Sequence, residues 1–286
     1  MSEVLVIGGA NIDITAKCIN PHMAATSNPA VISHKPGGVA RNIAHNLARL
    51  GTKVSLLTVV GGDEAGQGLL RATAEAGVNV SLCSTAKGTT GTYIAMLDEA
   101  GELVTAANDM AVLRAITPAL IDSNRDAIIS AKFVIADCNL PLPSLKAIAK
   151  LAAEKLIVEP VSFSKALKLY ELLGASAVFL ATPNLDQIAA LTLTREPQAA
   201  SSILRKMGVK NLVIHAGSRG AYVSDQSDFT HLASSATKVI DVTGAGDAAT
   251  AGLIHGLMQG MPLAKAAELG QEMAARVIAS TASTLE

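Results

Sequence analysis

Asp241-Val242-Thr243-Gly244-Ala245-Gly246-Asp247 runs directly into the helical stretch Ala248 to Met258. Its glycines allow a tight turn whose backbone amides converge on one spot. The helix that follows adds a positive partial charge at its N-terminus. Together they suit a phosphate, and they stabilise the negative charge that builds during phosphoryl transfer. Asp247 stands where it could take a proton from an attacking hydroxyl. Taken alone, the same residues also fit an aspartate that caps a helix after a glycine turn.

Upstream of that loop, short apolar runs alternate with longer Ala- and Leu-rich stretches. Val4-Leu5-Val6-Ile7 has a buried-strand pattern and ends in Gly8-Gly9. Gly37 to Leu50 reads as a glycine turn and an amphipathic helix stopped by Gly51. Val54 to Val60 is the next strand, and Glu64 to Ala76 a helix ending at Gly77. Phe133 to Ala136, Leu156 to Val158, Val178 to Ala181 and Leu212 to His215 repeat the strand pattern, most of them followed by helical stretches. The alternation predicts an α/β fold of three layers, a mainly parallel central sheet with helices on both faces. Two segments break the rhythm. Ile14 to Lys35 is polar and rich in Pro, Asn and Ser, and Thr89 to Thr105 reads as two strands around the turn Asp98-Glu99-Ala100-Gly101. They predict a small β lid, built from about 14–36 and 89–110, on a single domain spanning 1–286.

Composition excludes several classes. Half of the 286 residues are hydrophobic and 16% are charged, which supports a large core. The net charge of −1 and the absence of a polybasic tract argue against nucleic acid and against a membrane surface. Trp is absent and aromatics make up 2%, so stacking platforms for single strands are not expected. No apolar run reaches the roughly 20 residues of a membrane span. The chain enters its first strand without a basic leader or cleavage site, so no signal peptide is expected. Cys18, Cys83 and Cys138 are widely spaced and form no CxxC, which fits reduced thiols in a cytoplasmic protein. Ile7-Gly8-Gly9-Ala10-Asn11-Ile12 lacks the G-x-G-x-x-G spacing of a dinucleotide fold, and the six histidines show no metal-ligand spacing.

The seven residues 241–247 resemble the signature of the ribokinase-like (PfkB) family of carbohydrate and nucleoside kinases, and the resemblance runs over nearly the whole chain. Lys35-Pro36-Gly37-Gly38-Val39-Ala40-Arg41-Asn42-Ile43-Ala44 resembles the family's N-terminal signature and follows Gly9-Ala10-Asn11-Ile12-Asp13, as in the family. The resemblance implies ATP as donor, Mg²⁺ as helper and a small sugar or nucleoside as acceptor. It implies that Asp247 is the base, with Gly244, Ala245 and Gly246 forming the anion hole. It implies that Asp13 and Asn42 bind substrate hydroxyls, with Asn11 on the same loop and Gly37 and Gly38 allowing close approach. Carboxylate and amide groups suit a vicinal diol. Asp241 and Thr243 match positions where many relatives hold a monovalent cation such as K⁺. Ala216-Gly217-Ser218-Arg219-Gly220 resembles the family's nucleotide loop, although a hairpin turn would also explain it. Lid pairing is common in such kinases, which implies a possible homodimer.

Two departures bear on the metal. Thr182-Pro183-Asn184-Leu185-Asp186-Gln187 resembles the family's N-x-x-E segment with Gln187 in place of Glu, and an amide lacks the charge that organises hydrated Mg²⁺. Asp186 is a candidate substitute, and a non-catalytic kinase-like binding protein is the alternative reading. In Val158-Glu159-Pro160-Val161, Glu159 stands where relatives often carry Asp, which makes it a candidate metal ligand. Asp137-Cys138-Asn139, Asn108-Asp109-Met110 and Val161-Ser162 resemble segments of the pseudouridine-kinase branch of the family. The resemblance implies phosphorylation of a 5′-type hydroxyl on pseudouridine, with Asn108 and Asn139 reading the base edge; ribose or another nucleoside is the alternative acceptor.

Overall fold

The computed structural model describes residues 3–174, 176–235 and 238–286. β1 (Val4–Ile7) is buried along its whole length, as its unbroken apolar run requires. The chain then leaves the core for β2 (Asn11–Cys18) and β3 (Ala30–Gly37) and returns through α1 (Val39–Arg49) to β4 (Val54–Leu57). A small pair, β5 (Val59–Gly61) and β6 (Ser84–Ala86), brackets α2 (Glu64–Glu75). β7 (Thr92–Leu97) and β8 (Leu103–Asp109) form the expected hairpin, and α3 (Pro118–Ser123) and α4 (Arg125–Ser130) lead to β9 (Phe133–Asp137). There follow α5 (Leu142–Ala152), β10 (Leu156–Glu159), α6 (Phe163–Leu173), β11 (Val178–Ala181), α7 (Leu185–Thr192), α8 (Pro197–Lys206) and β12 (Val209–His215). The hairpin strands β13 (Ala221–Ser224) and β14 (Phe229–Leu232) precede α9 (Ala245–Met258) and α10 (Leu263–Ile278).

The central sheet has the order β14-β13-β12-β11-β10-β9-β1-β4, with all pairings parallel except those of β13, which runs antiparallel to both β12 and β14. Alternation across the pleat separates the two helical layers. Val4 and Val6 join Ile43, Leu47, Leu253 and Ile254 on one face. Leu5 and Ile7 join Leu145, Ile148, Leu169 and Leu204 on the other. The three-layer α/β/α architecture is therefore as expected. Two strand boundaries differ. Val54 to Val60 is not one strand: it breaks at Thr58, whose buried hydroxyl donates to the Gly8 carbonyl at 2.7 Å, and Val59 restarts in the separate β5–β6 pair. The strand expected at Leu212 begins at Val209.

β3-β2-β7-β8 form the separate lid sheet. Its register sets Lys35, Asp13, Tyr93 and Asn108 in one cross-strand row, so these residues share a face. Parallel strands point their carboxyl ends to one edge, where open α/β sheets bind ligands. At that edge stand Asp137 ending β9, Glu159 ending β10, Thr182 just after β11 and His215 ending β12.

Candidate active site

Gly244 caps α9 in the left-handed region at φ 78°, and the chain packs so closely there that a Cβ would collide with the Ser283 carbonyl. Glycine is thus required by the turn itself. Gly246 differs: a Cβ on it would meet nothing within 4 Å. Among the described residues, the backbone N–H groups of Gly246 and Asp247 donate to no protein acceptor. They are unpaired donors of a helix N-terminus, open to an anion. Asp247 lies in the first turn of α9, inside the helix rather than at its cap, so the capping reading does not apply.

The acceptor-side candidates converge on that turn. Asn42, on the first turn of α1, donates its amide to Asp247 Oδ2 at 2.9 Å. Asn11 donates to Asp13 Oδ1 at 2.6 Å. A Cβ on Gly37 would collide with the Asp13 carboxylate, and one on Gly38, at φ 98°, with the backbone of Gly9 and Ala10. Both glycines are required by packing within the protein, Gly37 against the Asp13 side chain and Gly38 against the chain at residues 9–10. Asp137, which stands within Asp137-Cys138-Asn139 without a role of its own expected from the sequence, fastens the group together. Its Oδ2 accepts from Gly9 N at 2.8 Å and Ala40 N at 3.1 Å, and its Oδ1 accepts from Asn139 N at 2.8 Å. Among the described residues no hydrogen bond joins Asn108 to this group; it lies exposed on β8, on the face of the lid that carries Asp13.

On the other side of Asp247 is a cavity of about 680 Å³. Glu159, Asn184, His215, Gly217, Gly246 and Asp247 are among its walls, and Val239, Val242, Ala274 and Ile278 give it an apolar flank. Ala245 and Gly220 also line it, whereas Asp241, Thr243 and Gly244 do not. Asp241 Oδ1 accepts from the Thr243 N–H at 2.8 Å, so this carboxylate holds its own turn. Gly220, at φ 86°, is fixed by packing, since a Cβ there would collide with the Leu232 carbonyl. The Gly217 loop is indeed the turn of the β12–β13 hairpin, and it also faces the cavity. A larger, more open depression of about 770 Å³ near Arg205 and Phe229 holds none of these residues.

The two metal departures acquire physical reasons. Asn184 Oδ1 accepts from Gln187 N at 2.9 Å, and Gln187 Oε1 accepts from Asn184 N at 2.8 Å. This reciprocal cap starts α7, and an amide oxygen serves it as well as a carboxylate would. Asp186 does not stand in for the missing charge. It is exposed, pairs with Arg195 at 2.7 Å and is absent from the cavity wall. Among the described residues no three His, Cys, Asp or Glu side chains converge as metal ligands, and Glu159 and Asp241 are not brought together in such a cluster. Glu159 itself faces the cavity while its oxygens accept from Thr182 Oγ1 at 2.5 Å and Val161 N at 3.2 Å.

Charge is costly throughout this edge. Burial pushes Asp247 well above the ordinary carboxylate value; the Asn42 hydrogen bond opposes this, and the charges of Glu159, Asp137 and Asp13 add to it. Burial raises Glu159 to about 7, against the pull of its Thr182 and Val161 hydrogen bonds. Asp13 is raised by burial too, with Asn11, Arg41 and Lys35 acting the other way. Asp247 is nonetheless open to the cavity, so a ligand can reach it. Free amides that seek an anion thus sit beside carboxylates that seek a proton or a cation, an arrangement suited to deprotonating a hydroxyl beside a phosphate.

The model of the pfkB family of carbohydrate kinases matches residues 1–285. The chain belongs to that family. It is a phosphotransferase acting on a hydroxyl group of a sugar or nucleoside. The kinase is 38% identical over 276 residues to the pseudouridine kinase of Escherichia coli (strain K12), covering 94% of this chain and 88% of that protein. A carbohydrate kinase from Agrobacterium tumefaciens superposes with a TM-score of 0.86 at 32% identity, over 99% of this chain and 93% of that one. Arabidopsis thaliana ribokinase, solved with ribose and ATP, shares the fold with a TM-score of 0.85 at 20% identity, over 98% and 94% of the two chains. No helix among the described residues is long and apolar enough to cross a membrane.

Proposed function

We propose that this kinase transfers the γ-phosphoryl group of ATP to the primary 5′-type hydroxyl of pseudouridine, with Asp247 as the base. The observation that carries the reading is the 2.9 Å contact from Asn42 to Asp247, which joins the acceptor-side residues to the amide-lined turn of α9. Asn11, Asp13 and Asn42 hold the acceptor hydroxyls, and Gly37 and Gly38 keep the backbone close. The nucleotide occupies the cavity, its base against the apolar flank and its phosphates near Asn184, Gly217 and Gly246. Asp247 takes the hydroxyl proton, and the amides of Gly246 and Asp247 stabilise the charge on the transferring group. A divalent ion would supply further charge neutralisation when bound, and Glu159, a buried carboxylate with no ion pair among the described residues, is the residue suited to hold its water shell. The identity with a pseudouridine kinase supports the acceptor, as do Asn139 beside Gly9 and Asn108 on the Asp13 face of the lid. Two copies pair through the lid, whose other face leaves Ile32 and Ile94 exposed.

The test is Mg·ATP-dependent ADP release with pseudouridine, uridine, adenosine and ribose in parallel. Pseudouridine should give the highest kcat/KM. Asp247→Ala should lower kcat by about 10²–10⁴-fold while ATP binding stays near normal. Near wild-type turnover by that variant would remove Asp247 from its assigned role.

A further inference from the structure

The turn that closes β9, residues 137–140, is gripped from behind by a single helix. On α6, Lys168 Nζ donates to the carbonyls of Cys138 at 2.8 Å and Leu140 at 2.7 Å. Three residues earlier, Lys165 Nζ donates to Asn139 Oδ1 at 2.5 Å. An ammonium has three donors and no acceptor, so the amide atom it touches is the oxygen, and the amide orientation follows from chemistry alone. The Asn139 backbone N–H is already engaged by Asp137. What the side chain still offers is its NH₂ group, which lies over Gly9, where a Cβ would come within 2.8 Å of Nδ2. Gly9 opens the stretch that leads to Asn11 and Asp13. The Asn139 side chain also acts to lower the pKa of the Asp137 carboxyl, and because NH₂ carries two protons, engaging one of them leaves the other for a ligand.

We propose that Lys165 is a positioning residue that commits Asn139 to act as a hydrogen-bond donor, so that this site selects a nucleoside whose base presents a carbonyl oxygen there. The inference rests on the kinase reading above and narrows its acceptor. A base that offers an amino group or ring N–H at this point meets donor against donor, and a free sugar has no base to be read.

Steady-state kinetics on wild type, Lys165→Met and Lys165→Arg test it, with pseudouridine, uridine, cytidine, adenosine and ribose as acceptors. Wild type should prefer a carbonyl-bearing base. Lys165→Met should raise the KM for that nucleoside roughly tenfold, with kcat, the KM for ATP and the KM for ribose within about twofold. Lys165→Arg should restore most of the loss. Asn139→Asp retains the shape and the lysine contact but replaces the donor with an acceptor, and should raise the same KM. An unchanged nucleoside KM in Lys165→Met, or an equal rise for nucleoside and ribose, overturns the inference and leaves the kinase reading intact. A wild type that prefers adenosine or ribose does the same. A wild type that releases no ADP with any acceptor overturns both.

Discussion

Asp247 is held by one neighbour that favours its charge and by several groups that resist it, so its titration reports on the site directly. The Asn42 hydrogen bond lowers its pKa, against burial and the nearby carboxylates. Asn42→Ala should therefore move the acid limb of the kcat/KM profile to higher pH, and an unmoved limb would separate Asn42 from the base. Glu159 gives a second readout. Its pKa in the fold is about 7, above the ordinary 4.5. The folded state thus binds this proton more tightly than the unfolded state does. The associated stability is fully present below about pH 4.5 and is lost as pH rises through about 7. Glu159→Gln, measured by thermal melts of the nucleotide-free protein, should gain on wild type across that window and run parallel to it above. The residues proposed as reactive stood out in the sequence because they sit inside short contiguous patterns: Asp247 after Gly244-Ala245-Gly246, and Asn42 after Gly37-Gly38. Asp137 did not, because its work is to accept from amides 128 and 97 residues away, which no local pattern encodes. Lys165 escaped for the same reason, since its partner Asn139 lies on another element.

The loop before α9 uses its glycines in two different ways, and substitution should distinguish them. Gly244→Ala places a side chain at φ 78° against the Ser283 carbonyl, and should destabilise by about 1–3 kcal/mol in urea melts. Gly246→Ala enters open space inside a helix, where alanine is favoured by about 0.5–1 kcal/mol. Its melting temperature should hold or rise while kcat/KM drops at least about tenfold, because the methyl group occupies the anion's place. A parallel loss of stability and activity would make Gly246 merely structural. Most strands and helices were legible from apolar runs and glycine stops. The break at Thr58 was not, because a threonine is at home in a β-strand and only its hydroxyl bond to Gly8, 50 residues away, marks the interruption. The cap between Asn184 and Gln187 was likewise hidden, since the same residues suggested a weakened metal site.

On the scale of the whole molecule, the parallel layered sheet was legible from alternation, but its strand order was not. Placing β1 between β9 and β4 depends on pairing across more than a hundred residues of chain. The lid carries its own consequence. Opposite the Asp13 face, Ile14, Ile32, Ile94 and Met96 share one side of the sheet, with Ile32 61% and Ile94 44% exposed. A sheet face of this kind favours a second apolar surface. Sedimentation should show a dimer that Ile32→Glu combined with Ile94→Glu dissociates, and a wild-type monomer at micromolar concentration would remove the lid as an interface. The Asn42–Asp247 bond spans 205 positions, and the Leu285 N–H reaches Asn46 across 239. During synthesis α1 therefore emerges long before anything that can complete the edge proposed as catalytic. Nascent chains must persist with that edge unpaired, so competence should arrive late and all at once as the last helices dock, and the interval of exposure to aggregation and proteolysis is set by translation speed rather than by local helix formation.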